Sequence, residues 1–212
     1  YMPFAGRYVL SGKKSILNSQ RSVAELEDAY EYFTNSSKIN QKEHQCIILN
    51  SKSSFDIDTE QKSMQYTLID LGEKQNYIEK VLEKRIYDYE NDDTAEFNEI
   101  EDLISKSFAR YEKKRIEIGF ISETVIIIEI FKDKLLIMTA NGNGYKIIEK
   151  NELTEYEKYV KISLDNKLLM RILKGPAYAH WNNAEIGSHL VYQRKPEIYE
   201  RGLYYSLSYF HS

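Results

Sequence analysis

Apolar residues recur along this chain with two different periods, and the change between them marks its organisation. Val23, Leu26, Tyr30 and Phe33 fall three or four apart, which predicts an amphipathic helix over 23–34. Ser22, with Glu25 three residues on, has the spacing of a capping box that would start it. Ile78, Val81, Leu82, Ile86 and Tyr89 give a second apolar stripe, and Phe97, Ile100, Ile104, Phe108 and Tyr111 a third. Glu90-Asn91-Asp92-Asp93 breaks the pattern between them and Thr94 can cap the later helix, so a helical hairpin is predicted. After Arg115 the period drops from about 3.6 to 2. Ile116–Ile121, Thr124–Phe131, Leu135–Thr139 and Tyr145–Ile148 then read as strands, with a tight turn at Lys132-Asp133. Asn141-Gly142-Asn143-Gly144 supplies residues that tolerate positive φ in another turn. Tyr159–Leu164 is a further strand, and Asp165 can cap a short helix holding Leu168, Leu169, Ile172 and Leu173 that Gly175-Pro176 stops. Ile186–Gln193 reads as a strand, and Pro196 opens a last helix bearing Tyr199, Leu203, Leu207 and Phe210.

The first third is less regular. Tyr8, Val9 and Leu10 make a short apolar run between Gly6 and Gly12, closed by Asn18-Ser19, which suggests a strand and turn. Cys46 to Leu49 is a short buried-strand candidate. The serine-rich, polar stretch 50–65 suggests an exposed loop and a domain boundary. The expected fold class is therefore α+β: residues 70–212 form an antiparallel sheet covered by helices, preceded over 1–65 by a fragment of a separate α/β unit.

Composition changes this picture in three places. With 212 residues and 42% hydrophobic content the chain can bury a core, as one large domain or two small ones. A formal net charge of −4 gives no concentrated basic face, which argues against a nucleic-acid partner, and no window approaches the roughly 20 apolar residues of a membrane span. The single cysteine, Cys46, excludes an internal disulfide framework and fits a reducing, cytoplasmic location. Tyrosine is abundant, at 18 residues, which suits either an AT-rich coding bias or interfaces and polar ligand sites.

For metal chemistry the pattern is sparse. The four histidines, His44, His180, His189 and His211, form no His-x-His or His-Glu-x-x-His spacing. The densest polar segment is Ala179-His180-Trp181-Asn182-Asn183-Ala184-Glu185-Ile186-Gly187-Ser188-His189, followed by Arg194. Amides, an indole N–H and imidazoles can read a polar ligand by its donor and acceptor pattern. The same residues also suit a purely structural role, with the asparagines satisfying a turn, Trp181 plugging the core and Glu185 pairing with Arg194. Both readings stand on the sequence. Phe4-Ala5-Gly6-Arg7-Tyr8 is the second candidate, where small residues permit a close backbone approach and Arg7 could clamp an anion, although on chemistry alone a tight strand-entry turn with a solvated arginine is the better reading. The charge runs Glu112-Lys113-Lys114-Arg115 and Lys84-Arg85 read as solvated helix faces.

Two segments carry a resemblance. Pro3-Phe4-Ala5-Gly6-Arg7-Tyr8-Val9-Leu10-x-Gly12 with Leu17-Asn18 resembles the late part of the metallo-β-lactamase fold, in the branch of CMP-N-acetylneuraminate hydroxylase-like proteins. His180-Trp181-Asn182-Asn183-Ala184-Glu185-Ile186-Gly187-Ser188-His189-Leu190, with Arg194-x-Pro196 and a closing helix, resembles the C-terminal end of the same proteins. The layout of the later part is similar to a sterol-carrier-protein-like accessory domain. The resemblance implies a cytoplasmic, metal-dependent hydrolase or oxygenase acting on a small polar or anionic substrate. It implies residues 1–65 as the end of the αββα catalytic unit and 70–212 as the accessory domain. Its His-x-His-x-Asp-His ligand motif does not occur in this sequence, so zinc or iron is expected in an N-terminal part or a companion chain, with none bound by this chain alone and no catalytic residue assigned. The start at Tyr1 reads in the same way, as the middle of a protein.

The expected substrate-binding residues are His180, Trp181, Asn182, Asn183, Glu185, His189, Arg194 and Arg7. Two other functions stay open: a non-catalytic small-molecule or lipid binding module enclosing an apolar ligand behind Val125–Phe131 and Leu135–Met138, and a homodimerisation domain built on Tyr199, Tyr204, Tyr205 and Tyr209.

Overall fold

A computed structural model describes residue 2 and residues 8–20, 24–40, 44–94 and 96–212. The chain divides into two compact units, residues 1–86 and 87–212.

In the first unit a 3-10 stretch spans Gly12–Gln20, followed by α1 (Leu26–Asn40), a minimal hairpin of β1 (Phe55–Asp56) and β2 (Gln61–Lys62), and α2 (Leu71–Tyr77) running on into a π-helical turn at Ile78–Leu82. Asn18 closes the first turn on both sides: its Oδ1 accepts from Leu10 N–H and its Nδ2 donates to Leu10 O, each at 2.9 Å. Tyr66 donates to Glu27 at 2.6 Å, and Lys74 reaches Glu25 at 2.8 Å. The expected strand at Tyr8–Leu10 is not formed. Cys46, Ile47 and Ile48 are buried as expected, but as irregular chain rather than a strand. The Ser22 cap lies outside the described residues, as does Arg7 with most of the Phe4–Tyr8 turn.

The second unit is α+β, as its periodicities predict. It runs α3 (Phe97–Glu117), β3 (Ser122–Phe131), β4 (Lys134–Ala140), β5 (Tyr145–Glu149), β6 (Tyr159–Ser163), α4 (Asn166–Lys174), α5 (Trp181–Ile186), β7 (Val191–Lys195) and α6 (Arg201–Leu207). The strands form one sheet in the order β5-β4-β3-β6-β7. Neighbours are antiparallel except β3 and β6, which run parallel with Ile126 beside Val160 and Ile128 beside Ile162.

Alternation in β3 sends Ile126, Ile128 and Ile130 to the helical side, where they meet Ile100, Ile104 and Tyr111 of α3, Leu169 and Leu173 of α4, and Leu203 and Leu207 of α6. Ile127, with Leu135 and Ile137 of β4, faces the other side beneath Leu153 and Tyr156. The space between helices and sheet, where a carrier domain would hold an apolar ligand, is filled by side chains such as Ile100, Ile104, Ile126, Leu136 and Phe210, each 0% exposed.

Several boundaries differ from the periodicity reading. The expected strand Ile116–Ile121 begins inside α3, because the buried stripe Ile100, Ile104, Ser107, Tyr111 continues one turn further to Arg115. Ile116 and Ile121 point to solvent. Arg115, expected on a solvated face, is buried: its Nη1 donates to Phe120 O at 2.7 Å and its Nε to Glu112 at 2.8 Å. The second stripe of the expected hairpin is not one continuous helix: Ile78–Leu82 is the π-helical turn of the unit ending at Ile86, whereas Tyr89 lies in a 3-10 turn (Asp88–Asn91) of the unit beginning at Tyr87, in which the third stripe forms α3. The residue flanking α3 is Glu96, in a capping box with Glu99, rather than Thr94. Asp165 does cap α4, accepting from Lys167 N–H at 3.0 Å, and Gly175 ends it at φ +111°.

Candidate functional site

The polar segment that stands out in the sequence folds as α5 and its flanks. His180 caps the helix: its Nδ1 accepts from Asn182 N–H at 3.1 Å, which leaves Nε2 as the N–H donor of the neutral ring. Trp181 points inward, 1% exposed, edge-on to Phe210 with centroids 6.4 Å apart. A six-residue helix has little intrinsic stability, so this buried indole is what holds α5 against the core. Its end is tight. Gly187 N–H donates to Asn183 O at 2.9 Å, and Ser188 takes φ +58°. Gly187 has no room for a side chain, since a Cβ would stand 2.8 Å from His189 Cδ2. The predicted strand from Ile186 is therefore displaced to Val191, because the Gly187–Ser188 turn must first reverse the chain.

With Trp181 fixed, the remaining side chains of α5 separate to two sides. Asn183 and Ala184 join His180, His189, Tyr87 and Tyr89 around an open groove of about 250 Å³. There His189 Nδ1 lies 3.1 Å from Tyr89 Oη, and the His189 ring meets that of Tyr87 edge to face at 4.6 Å. Arg171 also reaches this groove, but its guanidinium is held by Asp92, with Nε–Oδ2 at 2.5 Å and Nη2–Oδ1 at 2.7 Å. The hydrogen bond from Arg171 keeps the Asp92 carboxyl below the usual carboxylate range. Asp88 lines the groove as well, so with Arg171 held by Asp92 its charged lining has no positive excess.

Asn182, Glu185 and Ile186 line a second cleft, of about 270 Å³, against Tyr199, Arg201, Tyr204, Tyr205 and Ser208. Arg194, on the helical side of β7, lies over the rings of Tyr192 and Tyr204 at 5.8 and 5.5 Å. Its carboxylate contact is Glu197 at 3.8 Å rather than the Glu185 partner that the sequence suggests.

The structure therefore brings together His180, Asn183 and His189 on one side of α5, and Asn182 and Glu185 on the other, and it gives Trp181 to the core. Arg7 lies outside the described residues; of its segment, Tyr8 lines a separate cavity of about 420 Å³ with Asn18 and Ile78. Sequence reasoning missed Tyr87, Tyr89 and Arg171 in the groove, and Tyr192 behind the cleft. Tyr87, Tyr89 and Tyr192 carry no local motif, and only long-range folding brings Tyr89 to His189. Of the four tyrosines proposed for an interface, Tyr204 is buried and stacks on Tyr199 at 4.6 Å, while Tyr205 is exposed and Lys114 Nζ lies 4.4 Å from the Tyr209 ring centroid.

A buried polar network lies elsewhere, joining β3 to the start of α6. Glu200 accepts from Ser122 at 2.7 Å, from Lys158 at 3.0 Å, and also from Thr124. Burial disfavours its charge, but these hydrogen bonds outweigh that and hold the carboxyl below its ordinary value.

Among the described residues, no three His, Cys, Asp or Glu side chains converge in a way that could hold a metal ion. None of the helices built from them is long and apolar enough to cross a membrane. Comparison with known proteins gave no matching family model, no matching curated protein and no matching solved structure.

Proposed function

We propose that residues 87–212 form a substrate-facing accessory unit of a metal-dependent enzyme of the metallo-β-lactamase fold, with the groove beside α5 holding part of a small polar substrate. The observation that carries this reading is the anchoring of α5. Trp181 is locked in the core and His180 is locked as a cap, so the Asn183 amide and the His180 and His189 imidazoles are held at one groove on a short, fixed helix. Those groups donate and accept hydrogen bonds without a large net charge, which suits a polar ligand better than a strongly anionic one.

Zinc or iron would be held by ligands other than the described residues, which offer it no set of three, and these side chains bind and orient. Metal analysis of the purified 212-residue chain tests the division: substoichiometric zinc and iron are expected, and one tightly bound ion per chain would overturn it. Asn183→Ala and His189→Ala should raise the KM of the complete enzyme more than they lower its kcat, as expected for uniform binding.

A further inference from the structure

The groove beside α5 contains one charged group that the fold does not use. Arg171 is not that group: Asp92 holds its guanidinium with two hydrogen bonds, and its Nη2 also donates to Asp88 O at 3.2 Å. Asp88 lines the groove and is exposed, and among the described residues its carboxylate makes no hydrogen bond or ion pair. Asp92 and, more weakly, Asp88 both stabilise the Arg171 charge, so two carboxylates share one guanidinium. Beyond the Arg171–Asp92 pair lies a separate cavity of about 730 Å³, whose lining sets Lys167 and Lys174 against Asp93 and Glu99. Lys167 Nζ donates to Glu90 O at 3.0 Å. Over both linings four carboxylates, Asp88, Asp92, Asp93 and Glu99, face three cations, Lys167, Arg171 and Lys174, which leaves one negative charge in excess.

Resting on the reading of this groove as a substrate site, we propose that its ligand is a small polar amine whose ammonium group Asp88 receives. An uncommitted carboxylate attracts a cation and repels an anion. Tyr87, stacked on Tyr89 at 5.5 Å and half-buried in the same lining, favours the same charge through the negative face of its ring. The rest of the lining addresses the uncharged part of the ligand. His180 presents Nε2–H as a donor, and the Asn183 amide both donates and accepts. An amine with hydroxyl groups a few atoms from its nitrogen meets all three residues. A hydrocarbon amine offers nothing to His180 or Asn183, and an uncharged polyol offers no charge to Asp88. The groove volume of about 250 Å³ restricts the class to small molecules.

Three probes of one shape isolate the charge: glucamine, a cation at neutral pH, sorbitol, which is uncharged, and gluconate, an anion. Each is titrated to about 100 mM into the full chain, above the millimolar Kd expected of so small a ligand. The Asn183 side-chain amide resonances report binding, and Asn183→Ala identifies them. Saturable shifts are expected with glucamine and sorbitol, with glucamine at least about threefold tighter and gluconate the weakest. Asp88→Asn, checked as folded by the dispersion of its amide spectrum, should bring glucamine to the affinity of sorbitol and leave sorbitol within about twofold. Asp93→Asn, beyond the Arg171–Asp92 pair, should preserve the preference. Sorbitol or gluconate binding as tightly as glucamine would overturn the ammonium assignment and leave the groove standing as a polar substrate site. A preference that survives Asp88→Asn, or that Asp93→Asn removes equally, would overturn the role of Asp88. No saturable shift with any of the three probes would overturn both the ligand class and the groove itself.

Discussion

Gly202 lies directly against the ring of Phe120: a Cβ built on it would stand 2.3 Å from Phe120 Cδ2 and 2.6 Å from Cγ. The contact joins the first turn of α6 to the third residue after α3, so the hydrogen atom of one glycine sets how closely that helix approaches. Gly202→Ala should destabilise the protein by about 1–3 kcal/mol through overpacking. Thermal unfolding measures it, and Phe120→Leu in the same chain should restore part of the loss. A neutral Gly202→Ala would mean that Phe120 moves aside freely.

Ser188 occupies the left-handed region at φ +58°, where a Cβ crowds the following carbonyl. Ser188→Gly should relieve that strain and raise stability by about 0.5–1 kcal/mol despite the greater entropy of glycine in the unfolded chain. Urea unfolding at constant m-value reads the difference. A fall in stability would show that the serine hydroxyl contributes more than the strain costs.

Acid should weaken the fold in two stages. His211 is buried, and that burial lowers its pKa below the ordinary 6.5 despite a hydrogen bond to Ser212 O. Its contribution is complete above 6.5 and is lost as pH falls from there through the folded value. Glu200 is likewise depressed, below 4.5, so its contribution is complete above 4.5 and is lost lower still. His211→Gln should flatten the upper stage of a stability-against-pH curve and leave the lower one. Glu200→Gln should reduce the lower stage, to which Asp92 and Glu129 also contribute, and leave the upper one, at the cost of overall stability. A single stage unaffected by either change would reject the assignment.

Trp181 carries the attachment of α5. Trp181→Ala should cost about 3–5 kcal/mol, by loss of buried area and by the cavity left beside Phe210. In the unaltered protein the fluorescence of this indole should be blue-shifted and poorly quenched by iodide, because the side chain is 1% exposed. Emission typical of solvated tryptophan would place α5 away from the core.

Much of the second unit was legible in the sequence. The spacing of Ile100, Ile104 and Tyr111 and the alternation of Ile126, Ile128 and Ile130 against Ile127 mark a helix and a strand, and both occur with the expected faces buried. The turn residues Lys132-Asp133 and Asn141–Gly144, and the Asp165 cap, also fall where their conformational preferences put them. Where the reading failed, the local signal was ambiguous. Ile116–Ile121 is apolar at either period, and Arg115 counts as a solvated residue until Phe120 O and Glu112 are seen to receive it. The first unit has short elements and weak periodicity, so tertiary contacts rather than pattern set its boundaries.

The candidate site divides in the same way. The sequence by itself determined that residues 180–194 concentrate polar chemistry around the only tryptophan, and that alternating and helical stripes elsewhere build a helix-covered sheet. These follow from covalent geometry, since side chains leave a helix every 100° or so and a strand every 180° or so. Only the tertiary structure decided that Trp181 belongs to the core, that Asn183 and His189 share a groove with Tyr89, and that Glu185 faces Tyr204 rather than pairing with Arg194. Those outcomes depend on which surfaces meet across β3, β6 and β7, elements far apart in the chain. No periodicity encodes such meetings, because the free energy that selects them comes from excluding water between whole faces rather than from neighbouring residues.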